Sequence, residues 1–199
     1  MKDKKRSYRM NARARSATET RERIIAAAVS CFSTRPFDVV SLRDIAREAK
    51  VSLPTVVRVA DSKEALFALA TATMLDAMGR DLASATVADS TDAVRFVVDL
   101  LEVHGDALVL LMAHETRSPV VRSLFDAGRT AQIQWIEQHY GRTLDPLDPA
   151  TRKRRIAALL TATGARSWFV LRRIHALSAD ETATAMGEMI AGLLAEPQP

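Results

Sequence analysis

The sequence predicts an all-α protein, and three observations carry that prediction. The 199 residues include only seven Gly and seven Pro, too few turn-formers for a chain of many short strands. Alternating apolar–polar runs are scarce, while apolar residues recur at spacings of three and four. Good helix caps, Ser41, Ser118, Asp148 and Ser178, stand in front of such runs. With 48% apolar and 26% charged residues, the chain can bury a core, either as one unit or as a small domain joined to a larger one.

About nine helices follow in order. The first, 17–33, carries Ile24, Ala27 and Phe32. The second, 41–48, opens with the capping-box form Ser41-Leu42-Arg43-Asp44 and continues Ile45, Ala46 and Ala49 at helical spacing. The third, 52–58, is the least obvious, because VSLPTVVRVA is rich in β-branched residues. Ser52 is placed to cap it and Pro54 is tolerated in its first turn. Val56 and Ala60 form a buried stripe, and packing outweighs propensity in so short a helix. Val51 plugs the gap between helices two and three. The fourth, 62–84, has Leu66, Leu69, Met74 and Leu82 as its apolar positions. Then come 91–103, 105–115, and 119–140 behind Ser118-Pro119. The last two are 149–175 behind Asp148-Pro149 and 179–195 behind the capping box Ser178 to Glu181.

The charge is unevenly spread. Net charge is +4, yet residues 1–15 hold seven Lys or Arg against Asp3, a net +6, so the remainder carries −2. Residues 1–16 are expected to be a flexible basic arm that orders on a polyanion. Cys31, the single cysteine, excludes an internal disulfide framework and fits a reducing compartment. The longest apolar run, 107–113, falls far short of the roughly 20 residues of a membrane span. The N-terminus lacks the apolar stretch of a secretory signal. A cytoplasmic protein without a membrane partner is expected.

Catalytic and metal chemistry find no footing. His104, His114, His139 and His175 lack ligand spacing, and His114-Glu115 has no second His to complete a zinc motif. There is no phosphate-binding glycine loop or nucleophile elbow. No enzyme activity and no cofactor are expected, and Cys31 beside Phe32 reads as a small core residue.

Residues 41–60 have the pattern of a helix-turn-helix: Ile45 and Ala46 inward, a short turn at 49–52, then a helix whose N-terminal Leu53, Pro54 and Thr55 stand exposed. The stretch 20–70 as a whole resembles the DNA-binding domain of the tetracycline-repressor (TetR) family of bacterial regulators. The resemblance is carried by Ile24, Ala27, Phe32, Phe37, Asp38, Ser41, Ile45, Ala46, Val51-Ser52, Thr55 and Ser62-Lys63-Glu64-Ala65-Leu66. Three positions depart from the family's habit: Lys50 stands where the turn usually has Gly, and Val57 and Ala60 stand where aromatics are common.

The resemblance implies a helix-turn-helix domain over 17–65 and a larger helical ligand-binding and dimerisation domain over 66–199. It implies a regulator, a repressor in the simplest form, that binds palindromic double-stranded DNA as a homodimer and leaves it when a small molecule binds. Leu53 and Pro54 can touch a thymine methyl, and the Thr55 hydroxyl can reach a base edge or phosphate. Arg43, Arg58 and Lys63 would bind phosphates, and Arg13 and Arg15 of the arm would add contacts along a groove. Large apolar and aromatic side chains with a few polar groups would line the effector site: Phe96, Leu100, His104, Leu111, Gln132, Trp135, Trp168 and Arg172. An apolar or amphipathic effector fits that set. The dimer would form through 149–175 and 179–195, where Ala158, Ala162, Gly164, Ala165, Gly187 and Ala191 permit close approach and Leu159, Leu160, Ile190, Leu193 and Leu194 add apolar area. The alternative is a helical small-molecule-binding or interaction protein with weak or no specific DNA binding.

Overall fold

The computed structural model describes the backbone of residues 2–85, 87 and 89–195, and the side chains of 14–85, 87, 89 and 91–195. Among the described residues there is no strand, and no helix is long and apolar enough to cross a membrane. The helices are α1 (Lys2–Thr34), α2 (Leu42–Glu48), α3 (Leu53–Val59), α4 (Lys63–Ser84), α5 (Ser90–Met112), α6 (Pro119–Leu144), α7 (Pro149–Ala162), α8 (Ala165–Phe169) and α9 (Ala179–Leu194). They divide into two compact units, Met1–Met74 and Leu75–Pro199.

In the first unit α1 starts at Lys2, not at residue 17. Residues 2–34 contain neither Gly nor Pro, and their Ala, Arg and Lys propagate a helix, so nothing stops α1 where the charge pattern suggests an unfolded arm. Ile24, Ala28 and Phe32 are buried on it. Phe32 meets Phe67 of α4 edge-on at 4.9 Å, and Phe37 meets Phe67 at 5.0 Å. Leu66, Phe67, Ala70 and Met74 are all buried, which is why the first unit extends beyond residue 65 to Met74.

The second unit is organised around α5, which packs on α6, α8 and α9, while α7 packs on α6 and α9. The expected caps are in place: Ser118, Asp148 and Ser178 accept from backbone N–H groups of the first turns that follow, and Glu181 returns the bond in the capping box. Two glycines reverse the expected segmentation. Residues 91–103 and 105–115 are one helix, since Gly105 continues α5. A Cβ at Gly105 would lie 2.4 Å from the Trp168 ring, so the glycine is there for close approach and not for a break. By contrast 149–175 is not one helix. Thr163 ends α7, and Gly164, extended at φ −85 and ψ 157, begins α8. After Phe169 the chain completes one wide turn over Val170–Ile174, and Ala176 closes it at φ 55.

A polar cluster bolts that wide turn to α5. Trp168 Nε1 donates to Glu102 Oε1 at 2.7 Å, and the Arg172 guanidinium donates to both Glu102 oxygens at 2.6 and 2.8 Å. Arg173 grips Asp106 with two bonds, 3.0 and 2.8 Å, and lies 4.7 Å over the Trp168 ring. Arg172 and Arg173 therefore hold the carboxyls of Glu102 and Asp106 below their ordinary ranges.

Candidate functional site

The helix-turn-helix of the first unit is built by a turn that needs an unusual backbone. Lys50 has φ 54, the left-handed region that favours glycine. Its neighbour Val51 donates to the Ala46 carbonyl at 2.9 Å and closes the turn. Ser41 and Asp44 make the reciprocal capping box on α2, and Asp44 is held below the ordinary carboxylate range by those bonds from Ser41. Ile45 and Ala46 of α2, with Val56 of α3 and Ala60 behind it, are buried as the spacing predicts.

The exposed end of α3 differs in one detail. Ser52 occupies the cap position, but its hydroxyl meets the Thr55 hydroxyl at 2.8 Å instead of a backbone N–H. Arg58 Nη2 donates to the same Thr55 oxygen at 3.3 Å. Ser52, Thr55 and Arg58 thus form one polar cluster, with Pro54 exposed and Leu53 half-buried beside it. Ser52 was legible only as a cap. Its place three residues before Thr55 is the signal for the hydroxyl pair. Arg43 is exposed on α2 and Arg15 on α1, whereas the Arg13 side chain lies outside the described residues. The Lys63 ammonium sits 4.2 Å over the Phe37 ring. Arg21 Nη1 donates to the Val59 carbonyl at 3.4 Å, a tie to the last turn of α3 that the sequence gives no hint of. Val57 is 42% exposed and offers no hydrogen-bond donor in its side chain.

The second unit contains a cavity of about 390 Å³. Leu75, Met78 and Leu82 of α4 and Val97, Leu100, Leu101, Leu108 and Met112 of α5 form its apolar side. Phe125, Gln132 and Trp135 come from α6, and Thr161, Thr163 and Arg166 come from the α7–α8 junction. Gln132 Nε2 donates to Thr163 Oγ1 at 2.9 Å, which ties those two walls together. Arg129, also lining the cavity, is bonded to Asp126 and to Glu115, the latter at 2.9 Å, and these bonds raise its pKa further. Trp135 and His139 pack as a tilted ring pair with centroids 4.3 Å apart, and the indole N–H has no hydrogen-bond partner among the described residues.

Of the eight expected ligand residues, the cavity takes Leu100, Gln132 and Trp135. The other five lie elsewhere. Trp168 is fully buried in the α5–α8 contact, and Arg172 is spent on Glu102. His104 Nε2 faces Asp81 at 3.8 Å, Leu111 is core, and Phe96 is half-buried outside the lining. The expected dimer residues also divide. Leu159, Ile190, Ala162 and Ala165 are buried within the chain and Leu160 and Gly164 line the cavity, whereas Ala158, Gly187, Leu193 and Leu194 are half-buried and Ala191 is exposed. Outside that set, Val170, Ile174 and Met189 are exposed at 41, 64 and 40%. Among the described residues no group of His, Cys, Asp and Glu side chains forms a metal site.

The family model for bacterial regulatory proteins of the tetR family matches residues 24–70, the α1–α4 segment that carries this geometry. No curated protein matches the sequence. Among solved structures, a tetR-family transcriptional regulator from Streptomyces coelicolor superimposes with a TM-score of 0.76 at 22% identity, over 88% of this chain and 80% of that one. A transcriptional regulator from Rhodococcus sp. Rha1 gives 0.70 at 18% identity, over 87% and 95%. The multidrug binding protein EbrR, complexed with imidazole, gives 0.62 at 18%, over 89% and 96%. The resemblance read from residues 20–70 is therefore shown, and the chain has the fold of tetR-family transcriptional regulators.

Proposed function

We propose that this protein is a ligand-responsive repressor that binds a palindromic operator as a homodimer and is released by a small apolar or amphipathic effector. The observation that carries the reading is the presented end of α3: an exposed Pro54 beside a Ser52–Thr55–Arg58 cluster, behind a turn held by the positive φ of Lys50. Base edges in a major groove are read by such a helix end, with Leu53 and Pro54 against thymine methyls and Thr55 at a base edge or phosphate. Arg43 and Arg58 supply phosphate contacts, joined by Arg13 and Arg15 from the basic start of α1. Lys63 adds charge at the start of α4, although its packing over Phe37 makes it the weakest of these candidates.

Release is supported by α4 itself, which gives Leu66 and Phe67 to the core of the first unit and Leu75, Met78 and Leu82 to the cavity wall of the second. In a dimer the two copies of α3 must stand about one DNA turn apart, roughly 34 Å. A ligand that binds more tightly to any other arrangement weakens operator binding. Coupling of about 1–3 kcal/mol is a 5- to 150-fold effect. A small-molecule role is also supported by EbrR, a protein of this fold whose structure was determined with imidazole.

One observation favours the second reading, a small-molecule-binding protein with weak specific DNA binding: exposed Val57 offers no donor to a phosphate. Genomic fragments retained by the protein identify an operator, and the double variant Pro54→Ala/Thr55→Ala then tests the readers. A loss of about 1–3 kcal/mol per base contact on the selected site, with binding to random DNA unchanged, is the expected outcome. Equal loss on both DNAs removes residues 54 and 55 from the reading role, and no selected fragment at all favours the second reading.

A further inference from the structure

The cavity in the second unit is polarised by element. Every residue that α4 and α5 bring to it is uncharged, with Met78, Leu82, Leu101 and Leu108 among them. Its polar groups come from α6 and the α7–α8 junction: Arg129, Gln132, Thr161, Thr163 and Arg166. Both charged residues in the lining are arginines, and no Asp or Glu lines it. The two arginines differ in their partners. Arg129 is neutralised by Glu115 and Asp126. Arg166 has no acidic partner among the described residues, is exposed, and follows directly on Gly164 and Ala165 in the wall.

We propose that this cavity selects an amphipathic anion, a single carboxylate on an apolar body, with the carboxylate paired to Arg166 and the body against α4 and α5. This rests on the effector reading above and adds the charge of the ligand. A guanidinium presents a planar fork of donors that matches a carboxylate, and charge-assisted bonds of this kind exceed neutral ones. An apolar wall on two helices excludes water from the body of the ligand and gives it area to bury. A cationic head of the same size meets unneutralised positive charge at Arg166, and a neutral head loses the ion pair. The cavity falls within the ordinary size range of small-molecule sites, roughly 300–1,000 Å³.

Three probes built on an unbranched ten-carbon chain separate head charge from tail burial: sodium decanoate, decanol and decyltrimethylammonium bromide. Binding to the full-length protein is followed by tryptophan fluorescence, since Trp135 lines the cavity. Decanoate is expected to bind at least about fivefold more tightly than the other two. Arg166→Glu, at an exposed position with no acidic partner to lose, should weaken decanoate about tenfold or more and strengthen the ammonium probe. Arg166→Gln should weaken decanoate alone. Equal binding of all three, or a decanoate affinity indifferent to both variants, overturns the head-group assignment and leaves the effector reading intact. If no probe binds, the cavity is not a ligand site and both fall. If decanoate binds with the expected pattern but operator affinity measured in parallel does not move, the anion preference stands and the effector reading falls.

Discussion

Replacing Gly105 by Ala places a methyl group 2.4, 2.5 and 2.8 Å from three carbons of the Trp168 ring. Ordinary carbon contacts lie at about 3.5–4.0 Å, so the overlap is about 1 Å. Neither side can give way cheaply. Gly105 lies in the middle of α5, and Trp168 is fully buried, anchored through its indole nitrogen to Glu102 at 2.7 Å and covered by Arg173. Overpacking of this kind costs about 1–3 kcal/mol. The same substitution removes the entropic penalty of a helical glycine, which returns about 0.5–1 kcal/mol. A net loss of about 1–2 kcal/mol in urea unfolding, followed by far-UV circular dichroism, is expected. Gly79→Ala is the control. It also lies inside a helix, but its Cβ would have nothing within 4 Å, so it should gain about 0.5–1 kcal/mol. If Gly105→Ala matches or exceeds the unsubstituted protein in stability, glycine at 105 is not required by close approach and the argument fails.

Deleting residues 1–15 should flatten the dependence of log K on log salt by about 0.9 for each phosphate that the segment neutralises, with the preferred DNA sequence unchanged; an unaltered slope removes the basic segment from the interface. Light scattering at micromolar concentration should give a dimer, and Ile174→Glu, at a 64% exposed apolar position on the wide turn, should give a monomer; a monomeric unsubstituted protein excludes the dimer outright. Acid should weaken the second unit through Glu102 and Asp106. Their folded pKa values lie below their unfolded ones, so their contribution is complete above the ordinary carboxylate range and is lost as pH falls through the depressed folded values. Glu102→Gln should be the less stable protein at pH 7 and converge with the unsubstituted one as pH falls through the depressed folded value of Glu102; parallel curves throughout the acid range would show that the Arg172 pair contributes nothing.

The first unit was the more legible half because its signals are local. A cap and its N3 partner are three residues apart, as at Ser41 and Asp44, and the resemblance marks Lys50 as the turn position where Gly is usual, which fits its left-handed backbone. Two glycines show where locality ends. Gly105 stands between His104 and Asp106, and Gly164 between Thr163 and Ala165, both inside segments with helical spacing. One continues a helix because an indole 63 positions later needs its surface, and the other interrupts a helix because the backbone is extended there. No window of sequence distinguishes them. The start of α1 failed for a related reason: net charge argues about folding alone, whereas helix propensity through residues free of Gly and Pro argues about continuation from a segment already held by Ile24 and Phe32.

The cavity residues were harder still, because a cavity is defined by what does not fill it. Size and aromaticity select side chains that protein interiors use first for packing, so Trp168 and Leu111 proved to be core and Arg172 a structural partner of Glu102. Trp135 has the same size and aromaticity and does line the cavity, but its neighbours there, Met78, Leu82 and Leu108, are ordinary aliphatic residues indistinguishable in sequence from those that pack. What separates the two classes is whether the facing helix supplies a side chain to meet them. The polar residues carry more information than the apolar ones for this reason. Arg166 stands beside a cavity without a carboxylate, while Arg172 and Arg173, six and seven residues later, are each matched to one on α5. Arg166 is left unmatched next to apolar volume, and that asymmetry is what favours the anionic ligand proposed for the cavity.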